Sequence, residues 1–134
     1  VNVSSMGGFF PFPGQTLYGA SKAAVKIFSE GLYAELIDTN IGVTVVFPGA
    51  VDTNIAQNSG VSMEIEGNGN SSSFSPLSPE IAAEVIIKGM ESDKFQVIVG
   101  KDANMMNILY RINPRWATRF MANQMRELLP EQNK

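Results

Sequence analysis

The chain has 134 residues, 44% of them hydrophobic and 17% charged, the proportions of one core-building globular domain rather than a disordered segment. Its net charge of −3 argues against a nucleic-acid-binding surface over the whole chain, and no run of about 18 apolar residues offers a membrane span. There is no cysteine and no histidine, which excludes disulfides, thiolate chemistry, Ser-His or Cys-His nucleophile pairs and the common zinc sites.

Val1-Asn2-Val3-Ser4-Ser5 is β-rich and is ended by Met6-Gly7-Gly8, so it reads as a buried strand running into a loop. The chain begins without Met in what reads as the end of a strand, the mark of a fragment with sequence upstream. The loop Gly7 to Gln15 carries Phe9, Phe10 and Phe12 between Pro11, Pro13 and Gly14. Proline at that spacing prevents a helix, and the three aromatics are expected to line an apolar pocket. Thr16 is placed to cap a helix running to about Asn40, closed by Gly42. Its apolar residues cover more than one stripe, so both faces are expected to be buried, one on a sheet and one on another helix or subunit.

Val43-Thr44-Val45-Val46-Phe47 is a continuous apolar strand stopped by Pro48-Gly49, the pattern of a parallel strand covered on both sides. A long connection over residues 50–75, rich in Asn, Ser and Gly, follows. Ser78-Pro79-Glu80 opens a second helix with an N-cap, a proline in the first position and an acid in the first turn; it is expected to end near Ser92. Phe95 to Val99 is a third strand, ended by Gly100. The order β-α-β-α-β predicts a parallel α/β sheet. From Lys101 to Arg126 there are five basic residues against the single acid Asp102. Met105 to Leu129 alternates apolar residues with Arg111, Arg115 and Arg119, and is expected to form a helical hairpin broken at Pro114 and packed on its own domain. An amphipathic surface helix meeting anionic lipid is the less favoured reading.

Tyr18 and Lys22 lie four residues apart, on one face of the first helix. A phenol is a poor acid-base catalyst at its ordinary pKa of about 10, and a neighbouring ammonium favours its ionised form. Ser5 falls at the C-terminal tip of the first strand, where open α/β sheets bind ligands, and its hydroxyl is placed to hold a substrate oxygen beside Tyr18. A lone Tyr-x-x-x-Lys usually means a core tyrosine and a solvated lysine, so the pair needs its context.

That context is Val1-Asn2-Val3-Ser4-Ser5, a Gly-containing loop, Tyr18-Gly19-Ala20-Ser21-Lys22-Ala23-Ala24-Val25, and Val43-Thr44-Val45-Val46-Phe47-Pro48-Gly49-Ala50-Val51-Asp52-Thr53. Over about residues 1–100, with thirteen positions from Ser5 to Tyr18, it closely resembles the short-chain dehydrogenase/reductase family. The resemblance implies an oxidoreductase using NAD or NADP and acting on an apolar carbonyl compound or secondary alcohol. It implies that Tyr18 is the general acid or base, that Lys22 assists it and binds the nicotinamide ribose, and that Ser5 polarises the substrate oxygen. Pro48 and Gly49 would shape the turn beside the nicotinamide, with the Val51 backbone and Thr53 as its carboxamide contacts.

The fold expected is therefore the C-terminal part of a Rossmann-type doubly wound parallel sheet with a C-terminal helical extension. Residues 1–134 form one incomplete catalytic domain, with a core over 1–100, a variable loop over 54–75 and the extension over 101–134. The family's Gly-rich dinucleotide turn and its helix asparagine have no counterpart here, so the chain alone is expected to be inactive. The loop reads equally as a lid or a linker. The helix over 16–40 is expected to form a homo-oligomer, with Ser21, Val25, Phe28 and Ser29 at the contact. A cytoplasmic location is compatible with the absent cysteine. The alternatives are a catalytically silent scaffold module and a peripheral membrane module.

Overall fold

The computed structural model describes residues 1–54 and 75–126. The lid-or-linker segment and the expected helix end at Leu129 lie outside these residues, apart from Asn54 and Ser75.

Three parallel strands, β1 (Asn2–Val3), β2 (Val45–Pro48) and β3 (Gln96–Val99), stand in sheet order β1-β2-β3. The register pairs Asn2 with Val45, and Val46 with Val97. Helix α1 (Thr16–Leu36) connects β1 to β2, α2 (Pro79–Glu91) precedes β3, and α3 (Lys101–Ile112) and α4 (Pro114–Met125) form the C-terminal hairpin. This is the α/β order that the apolar pattern predicts.

Side chains alternate across the sheet, so the register divides the core in two. Val46, Val97 and Val99 pack under α2 with Ala82 and Ile86. Val45, Phe47, Gln96 and Ile98 fall on the opposite face, where Gln96 Nε2 donates to Glu30 Oε1 of α1 at 2.9 Å. Lys26 completes that network with a 2.9 Å ion pair to Glu30. The expected burial of the first strand holds only in part. Val1 and Val3 are about half exposed, because α2 covers β2 and β3 but not β1.

Several local expectations are met atom by atom. The Ser78 hydroxyl accepts from Ile81 N, with Pro79 in the first helical position. The break at Pro114 is a true chain reversal, in which the Asn113 side chain caps α4 by accepting from Trp116 N at 3.0 Å. The hairpin packs on its own domain through Met106, Ala117 and Met121, closing a core with Phe10.

Others need correcting. Thr16 is the first helical residue rather than the cap; Gln15 takes the cap position without a side-chain bond. The helix stops at Leu36, not near Asn40, and Gly42 does not close it. The Thr39 hydroxyl donates to the Leu36 carbonyl at 2.7 Å and accepts from Ile41 N at 3.2 Å, a local alternative to continuing the helix. Gly42 instead lies beside the Asp93 carboxylate, which occupies the space a side chain would take. Phe10 is 1% exposed and belongs to the core. It packs against Phe12 and Tyr110 at ring separations of 5.3 and 5.8 Å, while Phe9 meets Phe47 edge-on at 5.4 Å. These contacts hold the loop against β2 and the C-terminal hairpin, and Phe10 is closed off from a ligand.

Candidate active site

Two buried hydroxyls set the geometry of the site. Asn2 donates to Ser29 Oγ at 3.1 Å, and two residues further on Ser4 Oγ donates to the Lys22 carbonyl at 2.7 Å. As β1 advances from Asn2 to Ser4, its partners on α1 retreat from Ser29 to Lys22, so strand and helix run antiparallel. The first turn of α1 is thereby brought to the C-terminal edge of the sheet, the edge where open α/β folds bind ligands. Ser29 is fully buried by this contact, its own hydroxyl donating to Val25 O at 2.7 Å. It is therefore a packing residue within the protomer, and the expectation that Ser29 touches a second subunit is overturned.

After β1 the chain turns through a short 3-10 turn, Met6–Gly8, capped by Ser5, whose Oγ accepts from Gly7 N at 3.1 Å. Gly7 lies between Ser5 and the first turn of α1. A methyl group there would stand 3.2 Å from Tyr18 Cε1 and 3.7 Å from Ser5 Oγ, so the Tyr18 ring and the Ser5 hydroxyl flank the same residue. Lys22 folds back one helical turn, its Nζ 5.8 Å from the centre of the Tyr18 ring and 3.4 Å from the Val3 carbonyl, to which it donates. That separation is within cation–π range. Tyr18 is 44% exposed. Ser5, Tyr18 and Lys22 are thus brought together as the spacing predicts.

The segment from Pro48 to Thr53 leaves β2 at the same edge. Gly49 N donates to Val99 O at 2.8 Å and Ala50 N to Asp102 Oδ2 at 2.7 Å. Leu77 N donates to Ala50 O and Asp52 N to Leu77 O, both at 2.9 Å, so Val51 and Leu77 form a parallel bridge at the base of the long connection. A parallel bridge uses the peptide groups on either side of Val51 and turns the Val51 N–H and C=O toward the other edge. Pro48 and Gly49 are half-buried, whereas Asp52 and Thr53 are exposed.

Two residues of this neighbourhood escaped sequence reasoning. Gly7 reads as one more loop glycine, and Asp102 as the lone acid of a basic segment; their roles depend on Tyr18 and Ala50, 11 and 52 positions away. A depression of about 620 Å³ lies elsewhere, among Tyr33, Ile37, Asn40, Ile41 and Met90, and Ser5, Tyr18 and Lys22 take no part in it. A second, of about 220 Å³ with Phe9, Lys26, Phe47 and Tyr110 in its wall, also excludes them.

Fold and site together define an α/β protein of Rossmann type, with a tyrosine–lysine pair and a serine at the C-terminal edge of its sheet. The family model described as short chain dehydrogenase matches residues 1–63. SadH of Mycobacterium tuberculosis, named as an oxidoreductase, is 35% identical over 118 residues, which are 84% of this chain and 43% of SadH. Sulfoacetaldehyde reductase of Chromohalobacter salexigens is 49% identical over 53 residues, 40% of this chain and 21% of that enzyme. Among solved structures, a short-chain dehydrogenase from Burkholderia cenocepacia in complex with NADP superposes with a TM-score of 0.71 at 21% identity, covering 89% of this chain and 45% of that one. One from Streptomyces avermitilis gives 0.61 at 24% identity, covering 98% and 51%. The chain belongs to the short-chain dehydrogenase/reductase family. It spans less than half the length of SadH.

Proposed function

We propose that this chain is the catalytic part of an oxidoreductase that moves hydride between NAD or NADP and a carbonyl compound or secondary alcohol. The observation that carries the reading is the grouping of the Ser5 hydroxyl and the Tyr18 ring about Gly7, with the Lys22 ammonium one helical turn away.

In the direction of reduction, Ser5 Oγ–H donates to the substrate oxygen and holds it beside the Tyr18 hydroxyl, which gives that oxygen its proton. In the direction of oxidation Tyr18 takes the proton back. Lys22 places positive charge beside the ring, its Nζ 5.8 Å from the ring centre. The nicotinamide cofactor, when bound, supplies or accepts the hydride. Its fit rests on the segment after β2: the Val51 N–H and C=O face away from Leu77 at the edge that carries Tyr18, and suit a carboxamide. Pro48 and Gly49 shape that turn, Thr53 stands ready as a second carboxamide contact, and Lys22 is the group for the ribose. Phe10 is closed into the core and offers no wall to the site, and no apolar preference is assigned to the substrate. Residues 1–134 are read as one incomplete domain of the whole enzyme.

The exposed face of α1, with Leu17, Ile27 and Phe28 all more than 60% exposed, is assigned to contact with a second copy of the chain.

The test is Tyr18→Phe in the protein as its source organism makes it, assayed by NAD(P)H absorbance against a panel of aldehydes, ketones and secondary alcohols. Loss of the proton donor lowers kcat by about 10²–10⁴-fold with cofactor binding retained. Unchanged turnover would refute the assignment and favour a binding module.

A further inference from the structure

The turn after β2 is held from an unexpected side. Its Ala50 N–H has no backbone acceptor among the described residues; the bond goes instead to the carboxylate of Asp102, 2.7 Å away, at the start of α3. Two glycines make room for that carboxylate. A methyl group on Gly49 would fall on its oxygens, and one on Gly100 would meet the same group. Gly100 also adopts φ 105°, a backbone region that side chains disfavour, which turns the chain sharply from β3 into α3 and delivers Asp102 to the turn. The carboxylate therefore fills a niche that the two strand ends leave open, and joins the end of β3 to the end of β2.

We propose that Asp102 is a positioning residue: by holding the Ala50 N–H it sets the Gly49–Ala50 peptide plane, and so the course of the chain from the end of β2 into the Val51–Leu77 bridge, whose Val51 N–H faces the nicotinamide carboxamide. The inference rests on the oxidoreductase reading above. The remaining bonds of the segment, from Gly49 N to Val99 O and from Leu77 N to Ala50 O, fix its two sides but leave the Ala50 N–H free to rotate away. A charged acceptor is the strong form of such a bond, and a 1 Å error in a reacting group is enough to cost about a hundredfold in rate. An acid in the first turn of a helix also favours the helix N-terminus, a purely structural role that needs no Ala50 contact.

Asp102→Ala and Asp102→Asn in the full protein separate the two roles, since asparagine keeps an acceptor oxygen and loses the charge. Three quantities are read: Ala50 amide hydrogen exchange without cofactor, Kd for NADH and NADPH by fluorescence, and Tm. The expected result is faster Ala50 exchange in the alanine variant, with a Kd about tenfold weaker, and both restored to within about threefold by asparagine. Gly49→Ala, whose methyl displaces the carboxylate, reproduces the alanine phenotype. Unaltered Ala50 exchange in the alanine variant overturns the proposal, as does a fall in Tm with Kd unchanged, or equal losses in both variants. A parent protein that binds neither dinucleotide refutes the oxidoreductase reading itself, and this role with it.

Discussion

Gly8→Ala probes the joint on which the site is built. Gly8 is buried in the 3-10 turn, its N–H donating to Ser5 O at 2.9 Å, and it faces the backbone of α1. An added methyl would stand 2.5 Å from Ser4 Oγ, 2.9 Å from Lys22 O and 3.0 Å from Lys22 C. Two of the three atoms are backbone, so rotation of a side chain brings no relief. Either the turn lifts off the helix or the Ser4–Lys22 hydrogen bond breaks. Overpacking of this kind costs about 1–3 kcal/mol, and leaving the buried Ser4 hydroxyl without its acceptor costs about 1–3 kcal/mol more if the bond goes. Because one distortion partly relieves the other, the total expected is about 2–4 kcal/mol, a fall in Tm of about 5–15 °C. Equilibrium urea denaturation of the full protein measures it, with the parent m-value as the check that the same transition is followed. The turn also carries Gly7, so kcat falls with stability. Ser4→Ala supplies the internal control. It removes one clashing atom, so the double variant Ser4→Ala/Gly8→Ala is less destabilised than the sum of the singles by about 0.5 kcal/mol or more. A Gly8→Ala protein within about 0.5 kcal/mol of the parent, or strict additivity in the double variant, would refute the reasoning.

Phe10→Ala removes a 1%-exposed ring from the contact between the aromatic loop and the C-terminal hairpin. It is expected to lower stability by about 3–5 kcal/mol, with KM for substrate changed less than about twofold; a large KM effect in a stably folded variant would restore the pocket reading. Phe28→Glu places a charge on the exposed face of α1, where a single surface change moves protomer stability by no more than about 0.5 kcal/mol. Sedimentation of the parent is expected to show an oligomer that this variant dissociates; a parent that sediments only as a monomer removes the interface.

The features legible in the chain are those decided within a few residues. Val45-Val46-Phe47 and Val97-Ile98-Val99 are continuous apolar runs, the pattern that marks parallel strands with helices packed on their faces. Ser78-Pro79 starts α2, and Asn113-Pro114 ends one helix and caps the next, because cap and proline act on the turn they occupy. Tyr18 and Lys22 meet because a helix puts residues four apart on one face. Their nearness to Ser5 was legible from its place at the tip of the first strand and from the family resemblance; the physical cause is the antiparallel seating of β1 on α1 through Asn2, Ser4, Lys22 and Ser29.

What the tertiary structure alone decided has the same physical character throughout: a side chain whose surroundings come from a distant part of the chain. Phe10 reads as a pocket lining until Met106, Ala117 and Met121 close over it. Ser29 reads as an interface residue until Asn2 takes its hydroxyl, and Gly42 as a helix cap until Asp93 is found in the space beside it. Asp102 reads as a stray acid until the Ala50 amide, 52 positions earlier, is found pointing at it. Periodicity and capping are written in neighbouring residues because backbone dihedrals and helical spacing are local. The partner of a buried polar group is set by how the elements pack, and that information is held by no single stretch of sequence.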